Sequence, residues 1–185
     1  MKRFVPWLFA AFLTLTVPAQ TSAPKPGPEH QKLQVWTGEW KYEGRAYATP
    51  LGKGGPFAGV QTGRMILNGF FAEIRWNDKG DFGDEKGVIG EGVDIYGYDP
   101  GTKAHTVTSF DREGARAVGS LMVEGNTWKQ ASTRTGSDGR THQTRFVMVF
   151  SQEGKEISIK GELLTEDAKW VPLWDLVMKK VRDVR

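Results

Sequence analysis

Thr37-Gly38-Glu39-Trp40 is the stretch that decides the fold, because it joins a short amphipathic segment to the first long strand. In the preceding residues, 28–36, Leu33 and Trp36 lie three positions apart and so share one helical face. The glycine permits a sharp turn into a sheet, and the tryptophan is large enough to close one end of a barrel. The sequence therefore predicts a short N-terminal helix that plugs one end of a β-structure.

The rest of the chain alternates between strand patterns and turn-forming residues. Ten strands are predicted, over residues 39–48, 57–67, 70–77, 88–98, 104–111, 115–123, 127–135, 141–150, 156–164 and 170–181. Separators such as Asn68-Gly69, Asp99-Pro100-Gly101 and Ser137-Asp138-Gly139 are typical of tight turns. No long helical period provides crossovers, and about ten strands close to remove their edges. The predicted fold is all-β, a single antiparallel up-and-down β-barrel.

One hairpin can be registered from the sequence, because Asn68-Gly69 is a strong signal for a two-residue turn. Counting outward pairs Met65 with Ala72 and Gln61 with Trp76 on a face that we expect to be the core. The opposite face pairs Arg64 with Glu73. That pair resembles a catalytic arrangement, but this register predicts a surface ion pair outside the barrel.

The same alternation predicts inward faces in other strands. The inward sets are Trp40, Tyr42, Gly44 and Ala46 in the first strand, Phe146, Met148, Phe150, Ile157, Ile159 and Leu163 late in the chain, and Trp174, Leu176 and Met178 in the last strand. Small residues among large ones either leave an interior space or are compensated by the seven tryptophans. The sequence leaves both alternatives open.

The N-terminus has the pattern of a secretory signal peptide over residues 1–19. Lys2 and Arg3 precede an apolar run from Phe4 to Val17, which is shorter than the roughly 20 residues that span a bilayer. Cleavage is expected after Ala19, and Thr21-Ser22-Ala23 is a second possible site. Residues 20–28 are predicted to be a flexible leader and residues 29–185 the barrel domain. Without a cysteine after the apolar run, lipid anchoring is excluded, and a periplasmic or secreted protein without stable membrane insertion is expected.

Charge and cysteine content exclude several function classes. Removal of two positive residues with the signal peptide lowers the net charge from +3 to +1, which gives no case for nucleic acid as a partner. The chain has no cysteine, so disulfides, thiol nucleophiles and cysteine metal sites are excluded. The oligomeric state is not indicated.

No catalytic or metal constellation is predicted. His105 and His142 are interpreted as rim or surface residues rather than axial ligands of a haem. The acidic residues 78–85 lack the oxygen spacing of a calcium loop and are interpreted as a solvated loop. Residues 49–56 form a Gly/Pro-rich loop for which a lid role is one possibility. No titratable groups are predicted to converge inside the barrel, so no enzymatic activity and no cofactor are expected.

Several stretches together resemble a bacterial family of unknown function, domain-of-unknown-function family 1579, that is grouped with the lipocalin-like (calycin) barrels. They are Gly38-Glu39-Trp40, Ile66-Leu67-Asn68-Gly69-Phe70-Phe71, residues 91–103, Gly125-Asn126-Thr127-Trp128 and Lys169-Trp170-Val171-Pro172. Asn68 departs from a second glycine usual in the family and keeps the turn. The resemblance implies a lipocalin- or fatty-acid-binding-like barrel with a central cavity and a small apolar ligand. It brings no catalytic residues.

The leading functional prediction is a small hydrophobic ligand bound in the barrel interior. The residues predicted to line it are Trp40, Tyr42, Met65, Trp76, Tyr98, Gln130, Phe146, Met148 and Trp174. Tyr98 or Gln130 is expected to orient a polar group of the ligand. The alternative is a non-enzymatic envelope module with a filled core, which would expose a broad apolar patch on its outer surface.

Overall fold

The structure is a computed structural model that describes residues 23–81, 86–151 and 153–183. The predicted signal peptide and the first residues of the leader lie outside the described residues. Within the described part, no helix has the length and apolar character needed to cross a membrane.

Ten antiparallel strands form one closed barrel. They are β1 Gly38–Ala46, β2 Gly55–Ile66, β3 Phe71–Asp81, β4 Lys86–Asp99, β5 Ala104–Asp111, β6 Arg116–Glu124, β7 Thr127–Thr135, β8 Thr141–Phe150, β9 Glu156–Leu164 and β10 Trp170–Arg182. Each strand pairs with its sequence neighbours, and β1 pairs with β10 to close the barrel. The predicted up-and-down barrel is confirmed, and four predicted ranges agree to the residue: 104–111, 127–135, 141–150 and 156–164.

A plug formed by α1 (Pro28–Lys32) and a 3₁₀ turn (Leu33–Trp36) fills one end of the barrel. Leu33 is fully buried and Trp36 is 2% exposed. The Trp36 ring stacks on Tyr96 with centroids 5.1 Å apart and meets the edge of Phe150 at 5.1 Å. The short amphipathic segment is therefore helical because its apolar face completes the barrel core, as tertiary packing stabilises most short helices.

The hairpin between β2 and β3 has the predicted register. Met65 pairs with Ala72, Gln61 with Trp76 and Arg64 with Glu73. The turn is type I′, with Asn68 at φ 58° and ψ 26° and Gly69 at φ 87°. The Arg64 and Glu73 side chains lie 2.9 Å apart on the outside of the barrel, so the surface ion pair is confirmed.

The inward faces follow the predicted alternation. Trp40 and Tyr42 of β1, Met148 and Phe150 of β8, and Met178 of β10 are all buried. Small residues stand beside large ones: a Cβ on Gly161 would lie 2.7 Å from the Phe146 ring, and one on Gly44 would lie 2.6 Å from the Cβ of Leu176. At both positions the missing side chain provides room for the bulky neighbouring residue, so these two glycines do not themselves create empty space in the barrel.

Two predictions about polar residues are wrong. β3 continues to Asp81, so Asp78 belongs to a strand and points inward instead of lying in a solvated loop. His105 is 4% exposed, because β5 turns the same face inward that carries Val107. Its Nε2–H donates to the carbonyl oxygen of Glu29 in α1 at 3.0 Å. His105 is therefore not a rim residue, as predicted, but a buried residue that links the barrel to the plug.

Candidate functional site

A cavity of about 450 Å³ occupies the barrel between the plug and the opposite end. Trp36 and Tyr96 lie at its plugged end, while Leu51 and Glu113 line it at the end where the loops after β1 and β5 are found. The volume is in the range of small-molecule sites, roughly 300–1,000 Å³. Of the two alternatives that the sequence left open, the structure shows an interior space.

One side of the cavity is apolar and aromatic. Phe146 of β8 and Trp174 of β10 stack with ring centroids 5.0 Å apart and planes inclined by 30°. Ile159 and Leu176 of the neighbouring strands line the same side. We call Phe146, Ile159, Trp174 and Leu176 the aromatic wall. It offers flat and flexible apolar surface to the apolar part of a ligand, which is the usual lining of a small-molecule site.

The facing side carries two carboxylates held by hydrogen bonds. The Tyr42 hydroxyl donates to Oδ1 of Asp78. The Trp76 indole N–H donates to Oδ1 of Asp94 at 3.3 Å, and the Ser109 hydroxyl adds a second bond to Asp94. The five residues come from β1, β3, β4 and β5, so register alone brings them together. We call Tyr42, Trp76, Asp78, Asp94 and Ser109 the acidic wall.

Burial sets the protonation of the acidic wall. It raises the pKa of Asp94 to about 6, against the hydrogen bonds from Ser109 and Trp76, and repulsion from Asp78 adds to the rise. Burial also raises the pKa of Asp78, although the bond from Tyr42 opposes this. The pKa of Tyr42 is raised by burial and by the Asp78 charge, so the phenol stays a neutral donor. Because the pKa of Asp94 stays below 7, this carboxyl group is ionised at neutral pH and the acidic wall presents negative charge to the cavity.

Two glycines make room for the rings of the acidic wall. A Cβ on Gly59 would come within 2.3 Å of the Tyr42 ring, and one on Gly92 within 2.4 Å of the Trp76 ring. Gly59 is the cross-strand partner of both Tyr42 and Asp78, and Gly92 is the partner of Trp76. The missing side chains let both rings lie flat against the barrel wall and reach their carboxylates.

Substitution of Gly59 by alanine is expected to displace the Tyr42 ring and to destabilise the protein by about 1–3 kcal/mol, the usual cost of overpacking. Urea denaturation measures the loss. In a Tyr42→Ala background the clash is absent, so Gly59→Ala is expected to cost at least about 1 kcal/mol less there, as a double-mutant cycle reports. Equal costs in the two backgrounds would contradict the role of Gly59.

The cavity also holds an unsatisfied amide. Gln61 of β2 is 9% exposed and lines the cavity, and its Nε2 has no hydrogen-bond partner among the described residues. A buried amide N–H without a partner costs about 1–3 kcal/mol, so such groups call for an explanation. Gln61 pairs with Trp76 across the β2–β3 ladder, which places it beside the acidic wall. An acceptor on a ligand would satisfy it.

At the end of the cavity that Leu51 and Glu113 line, which we call the mouth, the positive charge of Arg134 is paired with carboxylates. Arg134 of β7 donates to Oδ2 of Asp111 at 2.8 Å and lies 3.7 Å from Glu113. Asp111 also accepts the backbone N–H groups of Glu113 and Ala115, which fixes the β5–β6 turn. Among the described residues that line the cavity, Arg134 is the one positive side chain, so the deeper Asp78 and Asp94 face no cation of the lining.

A metal site is not indicated by the described residues, since no three of their His, Asp and Glu side chains are placed to share an ion. The two carboxylates of the acidic wall are instead bonded to a phenol, an indole and a hydroxyl. Such neutral donors stabilise a carboxylate without neutralising it.

A family model described as "Protein of unknown function (DUF1579)" matches residues 25–180. The chain belongs to the DUF1579 family. This family is the one that the sequence resembled, and the match covers all ten strands except the last residues of β10. The family description assigns no activity, so it carries no functional residue to this DUF1579 chain.

Comparison with solved structures supports the fold alone. The DUF1579 chain is similar to the crystal structure of Rv2717c from M. tuberculosis, with a TM-score of 0.62 and 12% sequence identity. The similarity covers 84% of this chain and 99% of the other. No curated protein matches the chain.

Six of the nine residues predicted to line the barrel of this DUF1579 chain do line the cavity: Tyr42, Trp76, Gln130, Phe146, Met148 and Trp174. Trp40, Met65 and Tyr98 are not part of its lining. Trp40 is buried beneath the Lys180 ammonium, 5.0 Å from its ring, and Tyr98 packs against His30 and His105 next to the plug. Met65 packs against the core near the plugged end. The plug takes the volume that a ligand would need there.

Sequence reasoning missed the polar residues of the site. Asp78 and Asp94 were not predicted to be inside, and the expectation that no titratable groups converge in the barrel is wrong. The signal was present in the alternation: Asp94 shares its face with Tyr98, and Asp78 shares its face with Trp76. Asp78 is one two-residue step beyond Trp76, and Asp94 is two such steps from Tyr98, so extending the two inward faces that far finds both carboxylates.

Proposed function

We propose that this DUF1579 chain is a lipocalin-like binding protein that holds a small hydrophobic molecule with a polar group inside its barrel. The observation that carries the proposal is the cavity of about 450 Å³ with an aromatic wall on one side and hydrogen-bonding groups on the other. An apolar lining with a few convergent polar groups is the usual make-up of a ligand site.

The residues proposed to bind are those of the predicted set that line the cavity. Phe146, Met148 and Trp174 contact the ligand body, and Tyr42 and Gln130 border its polar part. Gln130 lies on the intervening side of the cavity, where its Nε2 donates to Ser132 Oγ at 2.8 Å. The proposed role of Trp40, Met65 and Tyr98 is indirect: they support the plugged end on which the ligand rests.

The proposal includes export to the periplasm or the outside of the cell. Its support is the signal-peptide pattern of Lys2, Arg3 and the apolar run from Phe4 to Val17. A binding protein without cysteine is suited to such a compartment because its stability does not depend on redox conditions.

The alternative of an envelope interaction module is less well supported. Such a module needs a broad apolar patch on the outer surface. On the outer face of β8, the exposed Val147 has Lys129 and Lys160 as cross-strand partners, and the exposed Val149 has Thr127 and Ser158, so polar residues flank this short apolar pair on both neighbouring strands. The interior, rather than this outer face, has the features of a binding site.

Native mass spectrometry of the full chain expressed in its own host, followed by organic extraction, tests the proposed function. We expect a discrete bound mass that the solvent removes, and a rise in melting temperature when the extracted molecule is added back, as binding to the native state requires. A clean ligand-free mass, with no thermal shift across a panel of lipophilic amines, alcohols and acids, would overturn the proposal.

A matched pair of variants shows whether the bound molecule lies in the cavity. Ala117 of β6 lines the cavity, whereas Ala131 of β7 is exposed on the outer face. Ala117→Phe fills part of the cavity and is expected to reduce the bound fraction at least about tenfold, as steric exclusion by a few kcal/mol does. Ala131→Phe adds the same side chain outside and is expected to leave the bound fraction unchanged.

A further inference from the structure

The described lining of the cavity is unevenly charged. It contains Asp78, Asp94, Asp111 and Glu113 but a single positive side chain, Arg134. Arg134 is engaged by Asp111 and Glu113 at the mouth. Deeper inside, the carboxyl groups of Asp78 and Asp94 are bonded, within the part of the chain that the structure describes, to neutral donors: a phenol, an indole and a hydroxyl. An interior with uncompensated negative charge favours a cationic guest, because charges buried in proteins are normally paired.

The acidic wall does not serve packing. Apolar side chains at both positions would give a barrel of similar volume without two desolvated carboxylates, and such replacements are often neutral or stabilising. A natural chain keeps a costly group of this kind where function uses it. Beside it, Gln61 lines the same cavity, and its buried amide nitrogen has no hydrogen-bond partner among the described residues. Both features are explained by one ligand that brings a cation and an acceptor.

We infer that the ligand of this barrel is an amphiphilic amine, whose protonated nitrogen lies between Asp78 and Asp94 and whose apolar body lies against Phe146 and Trp174. This inference rests on the proposed function, because it specifies the chemistry of the molecule that the cavity binds. A hydrogen-bond acceptor close to the nitrogen pairs with the Gln61 amide. The arrangement discriminates against carboxylic acids such as fatty acids, whose head group would meet two like charges.

The geometry matches this class of ligand. The two carboxylates are on β3 and β4, and the aromatic wall is on β8, β9 and β10. In the closed ring of ten strands β8 and β9 lie opposite β3 and β4, whereas β10 is the neighbour of β1, which carries Tyr42. A cation and an apolar body at opposite ends of one small molecule therefore reach both walls at once. An ammonium with three N–H donors can bond to both carboxylates, and such charge-assisted bonds are about twice as strong as neutral ones.

Calorimetric titration with three matched probes tests the inference. Phenylbutylamine, phenylbutanol and phenylbutyrate share one apolar body and differ in the charge of the head group. At about pH 7.5 the amine is protonated. We expect the full chain to bind the amine at least about tenfold more tightly than the alcohol, as a desolvated charge-assisted contact predicts, and the acid more weakly than the alcohol.

Isosteric variants assign the preference to the acidic wall. Asp94→Asn and Asp78→Asn keep the shape and remove one charge each, and each is expected to reduce the amine-to-alcohol ratio to about threefold or less. Glu91→Gln removes the same charge from the outer face of β4, where Glu91 is exposed, and is expected to leave the ratio unchanged. Circular dichroism melts of each variant show whether the fold is kept.

The outcomes separate this inference from the proposed function. Equal affinities for amine and alcohol in the wild-type chain would overturn the cationic ligand and leave a barrel that binds neutral apolar molecules. Tighter binding of phenylbutyrate than of the amine would also overturn it. Absence of binding by all three probes, together with a ligand-free mass of the protein from its host, would overturn the proposed function itself and the inference with it.

Discussion

Replacement of Trp36 by alanine is expected to lower the free energy of unfolding by about 3–5 kcal/mol, as removal of a fully packed aromatic side chain does. Trp36 is 2% exposed and contacts three aromatic rings: it stacks on Tyr96 and meets the edges of Trp128 and Phe150. These rings belong to three different strands, so the alanine leaves a hole where plug and barrel join. Urea denaturation of the full chain measures the loss.

Two further variants make this result specific. Trp36→Phe keeps a ring in the stack and removes an indole N–H that has no hydrogen-bond partner among the described residues, so it is expected to cost far less than the alanine. Gln34→Ala, at an exposed position of the same plug, is expected to change stability by less than about 0.5 kcal/mol. A loss below about 1 kcal/mol for Trp36→Ala would show that the barrel core does not depend on the plug.

The expected dependence on Trp36 explains how much of the fold the sequence could predict. Asn68-Gly69 sets a type I′ turn, and from that one turn the register of Met65 with Ala72 and of Gln61 with Trp76 follows by counting. The inward face of each strand then follows, because shifting the register by one residue would turn the apolar side chains of the core toward solvent. Local turn chemistry and alternation are properties of the sequence itself, so the barrel could be predicted from them.

The position of a residue along the barrel axis could not be predicted in the same way. Trp40, Met65 and Tyr98 have the correct inward parity, but they lie at the height where the plug fills the barrel. Parity distinguishes inside from outside and contains no information about depth. Depth depends on where the plug rests: a Cβ on Gly63 would lie 2.0 Å from the Trp36 carbonyl oxygen, so the plug packs directly on the β2 backbone.

The carboxylates of the site escaped prediction for a different reason. Asp78 precedes a run of charged and glycine residues that reads as a solvated loop, and a charged residue is ordinarily evidence for an outward position. The proposed ligand site accounts for this exception, because ligand binding requires polar groups where packing disfavours them. A departure from the hydrophobic pattern on an otherwise inward face is therefore informative about function.

Replacement of Asp94 by asparagine is expected to stabilise the protein at neutral pH by at most about 3 kcal/mol, the free energy that corresponds to its pKa shift. Burial raises the pKa of Asp94 from 3.8 to about 6. The native state therefore binds this proton more tightly than the unfolded chain, and the wild type loses stability as pH rises from about 4 to about 6. The Asp94→Asn variant has no carboxyl group that titrates at this position. Its free energy of unfolding therefore exceeds that of the wild type by a small amount near pH 4, by an increasing amount between about pH 4 and about pH 6, and by a constant amount above about pH 6.

Asparagine can keep the local hydrogen bonds, because its Oδ1 accepts from the Trp76 indole and its amide donates to the Ser109 hydroxyl. The neighbouring Asp78 remains, so the difference between the two unfolding curves isolates the charge of Asp94. Glu91→Gln on the outer face of the same strand is the control and is expected to change stability by less than about 0.5 kcal/mol. Stability measured by urea titration between pH 4 and pH 8 gives the comparison.

An Asp94→Asn variant that is less stable than the wild type at pH 7 would show that the carboxylate serves the fold. A variant that is more stable and has lost its preference for amines would show that the chain gives up stability to keep a charge inside its barrel.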